Sequence, residues 1–411
     1  DSFKINPFSQ VSDINPDIFD QFQRAAGPEP KNKPTVKTIL KHLALFVATF
    51  ACVTVIGIFW VGHTAGAESY FSMWPQGALF AALLLAFLAT HEFGHYFAAV
   101  YHKVKVTLPY FIPIPLGIGT LGAVIKIEER IQDTRKLFDI GISGPIAGFV
   151  VSLIILIYGF STLPEPDYIQ NFAGHEAIIS HVEETGQFPE TPPPPPEDAQ
   201  NTTLMLGNTI LFSLLASFFE NVPPMYEMYH YPFLFAGWLG LFFTALNLTP
   251  VGQLDGGHIL YSLIGYKKHR TVARIMFGFI ATLGGIEAIP FLFLNINGWF
   301  PGWGYLSILL WALVLLFLIR KAYHSEDVWV APVWAISLIL SAGYLYFFSS
   351  FSQYGSLIWV FWSFFLVYFV KIEHPPALFQ RPLSPARKRL GWISMVVFVL
   401  CISPNPIYFL N

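Results

Sequence analysis

The sequence predicts an all-α polytopic membrane protein of about nine transmembrane helices, with a short membrane-associated β element near residues 109–127. Three observations carry this prediction. Over 411 residues the chain is 54% hydrophobic and only 12% charged, with a mean hydropathy of +0.53, which is more apolar surface than a chain of this length can hide from water. Apolar runs of about 20 residues, the length that crosses a hydrocarbon core, recur along it. All 23 Lys and Arg residues fall into five clusters that nine crossings place on one side of the bilayer.

The runs lie near 39–62, 77–101, 138–160, 233–264, 272–294, 303–320, 328–349, 355–371 and 391–409. A tenth run, 204–219, is shorter and interrupted by Gly207, Asn208 and Thr209. The basic clusters are the tail up to Lys41, residues 103–136, residues 267–274, the pair Arg320 and Lys321, and residues 371–389. A crossing at 204–219 would move every later cluster to the opposite side, so this run is predicted not to cross. The N-terminus is then cytoplasmic and the C-terminus external. The loop 161–203 has no Lys or Arg and eight acidic residues, so it belongs outside. Its Thr191–Pro196 tract, TPPPPP, favours polyproline II and predicts a flexible spacer. The β element rests on Pro109, Pro113 and Pro115, then Gly117, Gly119 and Gly122, and a closing AVIKI. That order reads as a loop followed by an edge strand. The chain accordingly divides into a cytoplasmic tail 1–38, a core 39–264 that includes the external loop, and additional C-terminal transmembrane helices 265–411.

The formal charge of -3 contains no basic block suited to nucleic acid, which removes that class of partner. Cys52 and Cys401 both sit in apolar runs, suited neither to a disulfide framework nor to a cysteine metal site. The polar first 35 residues show no cleavable signal pattern and nothing like a transit leader, so the expected location is a multi-pass position in a bacterial cytoplasmic membrane.

The run 77–101 ends in His91-Glu92-Phe93-Gly94-His95. Residues four apart on a helix lie one turn above each other, so the two imidazoles can meet one tetrahedral zinc ion. Glu92 would face water at that ion and can serve as general base. Such a short pattern also arises by chance. Its place inside an apolar span, where each ionisable group costs roughly 3 kcal/mol, marks it as functional.

Two imidazoles leave a hydrolytic zinc short of a protein ligand. The run 233–264 contains Asn247-Leu248-Thr249-Pro250-Val251-Gly252-Gln253-Leu254-Asp255-Gly256-Gly257, where Pro250 and the glycines predict a broken helix with Asp255 as its acid. Taken alone, Asp255 could equally cap a helix end. Topology supplies a check. His95 stands eight residues before Lys103 and Asp255 twelve before Lys267, depths of about 12 and 18 Å, so the two motifs can meet just below the cytosolic face.

The pair HEFGH and NLTPVGQLDGG resembles the signature of the site-2 protease family of intramembrane zinc metalloproteases. Three further stretches are similar to the same family: GISGPIAGF (141–149), TLGAVI (120–125) and EHPP (373–376). The likeness extends over roughly residues 77–400. It implies a three-helix catalytic core of spans 77–101, 138–160 and 233–264, zinc as cofactor, His91, His95 and Asp255 as its ligands, and Glu92 as catalytic base. Asn247 occupies the family's Asn, implying substrate positioning or oxyanion support, with an interhelical hydrogen bond as the alternative. The implied activity is hydrolysis of peptide bonds in or near transmembrane segments, with transmembrane protein substrates and lipid as partners. The chain departs from the family in having no room for a PDZ or CBS domain.

Two other functions use the same residues: a metal or proton transporter, and a non-catalytic member that binds transmembrane helices. His258 is expected to play a supporting structural role. The small residues of Gly144-Pro145-Ile146-Ala147-Gly148 are expected to serve close helix packing.

Overall fold

The computed structural model describes residues 34–66, 69–193, 203–324, 327–347 and 357–410. Residues 1–33 of the tail and 194–196 of the proline tract lie outside the described residues.

Helix α1 (Val36–Val61) starts where the Thr35 hydroxyl accepts from the Thr38 amide and ends at Gly62. A short 3-10 turn (Tyr70–Met73) leads into α2 (Trp74–Tyr101), whose Pro75 sits in the first turn, where its missing N–H costs nothing. Strands β1 (Tyr110–Pro113) and β2 (Thr120–Val124) form an antiparallel hairpin with Phe111 opposite Ala123. This is the expected β element, with its strand beginning earlier than the AVIKI run. Helix α3 (Thr134–Ser161) is capped by Asp133.

The loop expected outside the membrane departs from its sequence reading. Residues 162–193 are a small folded cap, with a 3-10 turn (Pro166–Asn171) and α4 (Glu176–Thr185), and not a spacer. Ile178 and Val182, one turn apart on α4, bury against Ile169, Phe172 and Tyr226, and that shared apolar face outweighs the proline tract beside it. The run 204–219 becomes β3 (Thr203–Leu206) and α5 (Ile210–Ala216). At seven residues, about 10 Å, α5 is too short to cross, as expected.

Run 233–264 breaks as predicted. Helix α6 (Pro232–Leu248) stops before Pro250, and α7 (Asp255–Trp299) begins at the acid itself. Helix α7 joins two helical segments that meet at Gly265, φ 77° and ψ 170°, so the runs 233–264 and 272–294 part there. Helices α8 (Leu306–Ala322), α9 (Asp327–Phe347) and α10 (Ile358–Phe365) follow, the last prolonged by a π turn (Leu366–Val370). Helix α11 (Pro385–Cys401) is shorter than the run 391–409. Pro404 and Pro406 stop it, and β4 (Ile407–Leu410) pairs antiparallel with β3. Four described helical stretches, Val36–Val61, Tyr70–Tyr101, Thr134–Ser161 and Asp255–Trp299, are long and apolar enough to cross a membrane. Among the described residues the molecule is mostly helical with two small sheets, and nine crossings exceed what helix length alone provides.

One core joins α2, α3 and α6 through Phe80, Leu84, Phe87, Leu156 and Trp238. A second gathers α7 to α10 around Phe277, Trp311, Leu315 and Trp359. Phe59, Ile154, Leu313 and Phe369 point outward and are exposed, as side chains that face lipid are. Lipid tails are as apolar as leucine, so close packing, not escape from water, holds such helices together. Both cysteines are free thiols, Cys401 buried and Cys52 half-buried.

Candidate metal centre

Helix α2 carries His91 and His95 on one face, one turn apart, and both imidazoles are buried. They fit against α3 because two of its glycines leave room. A Cβ at Gly144 would run into the His95 ring, and one at Gly148 would lie 3.2 Å from the His91 Cβ. The packing role expected for this stretch therefore acts directly on the two predicted ligands. The His95 Nδ1 lies 2.7 Å from the Ile140 carbonyl. A carbonyl only accepts, so Nδ1 carries the proton and Nε2 presents its lone pair to the centre.

Asp255 reaches the same point from the other side. After α6 ends, Thr249 and Pro250 turn the chain, and the Gly252 amide donates to the Ile372 carbonyl at 3.0 Å. Gly252 has φ +54°, and a Cβ there would collide with the Lys371 carbonyl, so no other residue suits this loop. Asp255 then opens α7, where the positive end of the helix dipole favours a carboxylate.

The three donor atoms converge. The His91 and His95 Nε2 atoms are 3.1 Å apart, and the Asp255 Oδ2 lies 3.5 Å from the first and 3.2 Å from the second. Two ligand atoms about 2.0–2.1 Å from a tetrahedral zinc stand about 3.3 Å apart. With His95 neutral, its Nε2 and the Asp255 oxygen are both acceptors, and a cation between them, a proton or a metal ion, removes the conflict. The donor set, its spacing and its protonation thus fit a zinc ion.

Glu92 and Asn247 line a cavity of about 450 Å³ beside His91, His95 and Asp255. β2, from Leu121 to Val124, and Ile125 just after it line the cavity as well. β2 has β1 on one side and no strand on the other among the described residues. His258, one turn after Asp255, also lines the cavity, and its Nδ1 stands 2.8 Å from the His374 Nε2. Tyr261 stacks on His374 with ring centroids 4.2 Å apart. Glu373 pairs with the fully buried Arg274 at 3.1 Å, so the EHPP stretch holds α7 both near its start, through His374, and beyond the Gly265 kink.

Every site residue predicted from the sequence falls at this one place. Sequence reasoning missed the Ile140 carbonyl, the contact of Gly144 and Gly148 with the imidazoles, and Trp362 and Phe365, which close the cavity from the C-terminal half. None of these carries a local pattern, although the four-residue glycine spacing hinted at a close helix neighbour.

The profile of peptidase family M50 matches residues 79–284. Among curated proteins, the chain is 30% identical over 210 residues to a probable zinc metalloprotease EGY1, chloroplastic, of Arabidopsis thaliana, covering 50% of this chain and 34% of that one. It is 26% identical over 218 residues to a probable zinc metalloprotease EGY2, chloroplastic, of Oryza sativa subsp. indica, covering 52% and 33%. It is 27% identical over 254 residues to a probable zinc metallopeptidase EGY3, chloroplastic, of Arabidopsis thaliana, covering 60% and 39%. The chain thus spans about a third of the length of the first two relatives. Their names place them in the chloroplast, so the expected bacterial cytoplasmic membrane finds no support, while a membrane protein does. No solved structure matches the chain significantly.

Proposed function

The chain belongs to peptidase family M50, the site-2 proteases, and from that premise we propose that it is a zinc metallo-endopeptidase that hydrolyses peptide bonds in or near transmembrane segments. The carrying observation is the convergence of His91, His95 and Asp255 at 3.1, 3.5 and 3.2 Å beside a cavity lined by Glu92. His91, His95 and Asp255 would hold the ion. Zinc there would supply Lewis acidity, which polarises a peptide carbonyl and acidifies water. Glu92 takes a proton from the attacking water as its oxygen bonds to the carbonyl carbon, and returns it to the leaving nitrogen as the C–N bond breaks. The Asn247 side-chain amide orients the substrate carbonyl from the opposite helix.

A spanning helix satisfies its own backbone hydrogen bonds, so a substrate must unwind before attack. In this reading the free edge of β2 takes up the unwound stretch by strand addition, next to Glu92. Ile125→Pro removes an amide from that edge and is expected to slow cleavage about tenfold or more while leaving bound zinc unchanged; an unaltered rate discards the strand-addition step.

Residues 39–264 are read as the protease core and 265–411 as a helical layer that supplies one cavity wall. The four long helices together with α6, α8, α9, α10 and α11 make the nine crossings, with residues 162–193 outside. A membrane-impermeant thiol reagent should label Glu183→Cys from the outer face and Lys268→Cys only after the membrane is opened.

The decisive experiment incubates purified wild type and Glu92→Gln with candidate single-span proteins and measures zinc in both. Loss of cleavage with zinc retained supports a hydrolase. A metal transporter would show no proteolysis in either protein and would lose transport instead.

A further inference from the structure

At the opposite end of the bundle, about 25 Å along α6 from the first centre, a second set of donors meets. His175 precedes α4 in the cap, while Glu227 and His230 lie just before α6. The His175 and His230 Nε2 atoms are 3.1 Å apart, and the Glu227 Oε2 lies 3.4 Å from the first and 3.7 Å from the second. The three could hold one metal ion by mutual distance alone, and their spacing brackets the tetrahedral edge of about 3.3 Å.

Protonation sharpens the argument. The His230 Nδ1 stands 2.9 Å from the Trp60 carbonyl and the His175 Nδ1 stands 3.2 Å from the Ala173 carbonyl. Both carbonyls accept, so both imidazoles carry their proton on Nδ1 and both Nε2 atoms are acceptors. The Glu227 Oε2 is buried without a hydrogen-bond partner. With Glu227 ionised, three acceptors face one another with no donor among them. A proton on Glu227 would serve only one imidazole, at 3.4 Å, and would leave the two Nε2 atoms in contact at 3.1 Å. His63, which also packs on Phe172, is engaged by the Tyr168 hydroxyl at 2.8 Å.

We propose that His175, Glu227 and His230 form a second metal site, for a divalent transition ion of the zinc type, whose work is structural. Phe172 stacks on His230 with centroids 4.0 Å apart, and Tyr229 packs on it at 4.3 Å, so the trio is walled by aromatic rings. Three protein donors leave the fourth position of a tetrahedral ion to water, and the aromatic walls are what assign the site to structure and not to catalysis. The ion would tie the cap to the outer ends of α1, through Trp60, and of α6. The cap core of Ile169, Phe172, Ile178, Val182 and Tyr226 is small, and small folded units commonly need such a staple.

The test uses full-length, tag-free protein, stripped of metal and reloaded with zinc or cobalt alone. His91→Ala/His95→Ala is expected to retain one equivalent of zinc and the absorption of a four-coordinate cobalt site, and adding His175→Ala to take that equivalent to near zero. Wild type should bind two equivalents. Zinc near zero in folded His91→Ala/His95→Ala protein overturns the proposal, as does an equivalent that survives both His175→Ala and Glu227→Gln in that background. The first measurement needs no substitution in the cap, so it stands even where cap variants fail to fold. It is also independent of the proteolytic reading, since it counts metal and not cleavage.

Discussion

Two clusters in this molecule share a geometry and differ in everything around it. The inner one, His91, His95 and Asp255, has donor separations of 3.1, 3.2 and 3.5 Å, and the outer one, His175, His230 and Glu227, has 3.1, 3.4 and 3.7 Å. Beside the inner trio stand a carboxylate, a side-chain amide and a cavity of about 450 Å³ with an open strand edge. Beside the outer trio stand Phe172 and Tyr229. Donor spacing therefore shows that a cation can sit, and the neighbouring groups decide whether chemistry can follow.

The sharpest separation comes from Glu92→Gln, which keeps size and loses the base. Cleavage should fall by about 10²–10⁴-fold with two zinc equivalents retained, read by product formation and metal analysis on one sample. Next is Gly144→Ala, which drives a methyl group into the His95 ring. Displacing a ligand from its support typically costs about 10–100-fold in metal affinity, so competition with a chelator should show the inner site weakened and the outer one unchanged. Gly148→Ala, whose Cβ meets His91 at 3.2 Å, should weaken the inner site less. The smallest effect is expected from His175→Ala. The rate of cleavage should stay within about twofold while the melting midpoint drops by a few degrees, since each kcal/mol shifts Tm by about 2–4 °C even in smaller domains. Equal effects of His175→Ala and Gly144→Ala on cleavage would erase the distinction between the clusters.

The contrast also explains what was legible in the sequence. His91, Glu92 and His95 are fixed by one helical turn, so their geometry is written locally, and Asp255 stands inside a break that Pro250 and Gly252 announce. The outer ligands are not local. His175 and His230 are 55 residues apart in sequence, on segments whose approach depends on how the cap folds. That fold was hidden because the neighbouring prolines read as a spacer, while Ile178 and Val182 offered a single short apolar face. Strand β4 was obscured for a related reason. Ile407–Leu410 looks like the end of an apolar span, and only pairing with β3, far back in the chain, makes it a strand. Pro404 and Pro406 were the visible signal that the helix could not continue.

The hydrogen bond from the Gly252 amide to the Ile372 carbonyl bears on the order in which the chain is made. A ribosome delivers His91, His95 and Asp255 long before Ile372, so a nascent chain holds all three side chains while the loop before Asp255 still lacks its anchor. Full assembly of the inner trio thus waits on translation of the distal helices, and truncated products ending ahead of residue 372 would be born without a secured Asp255.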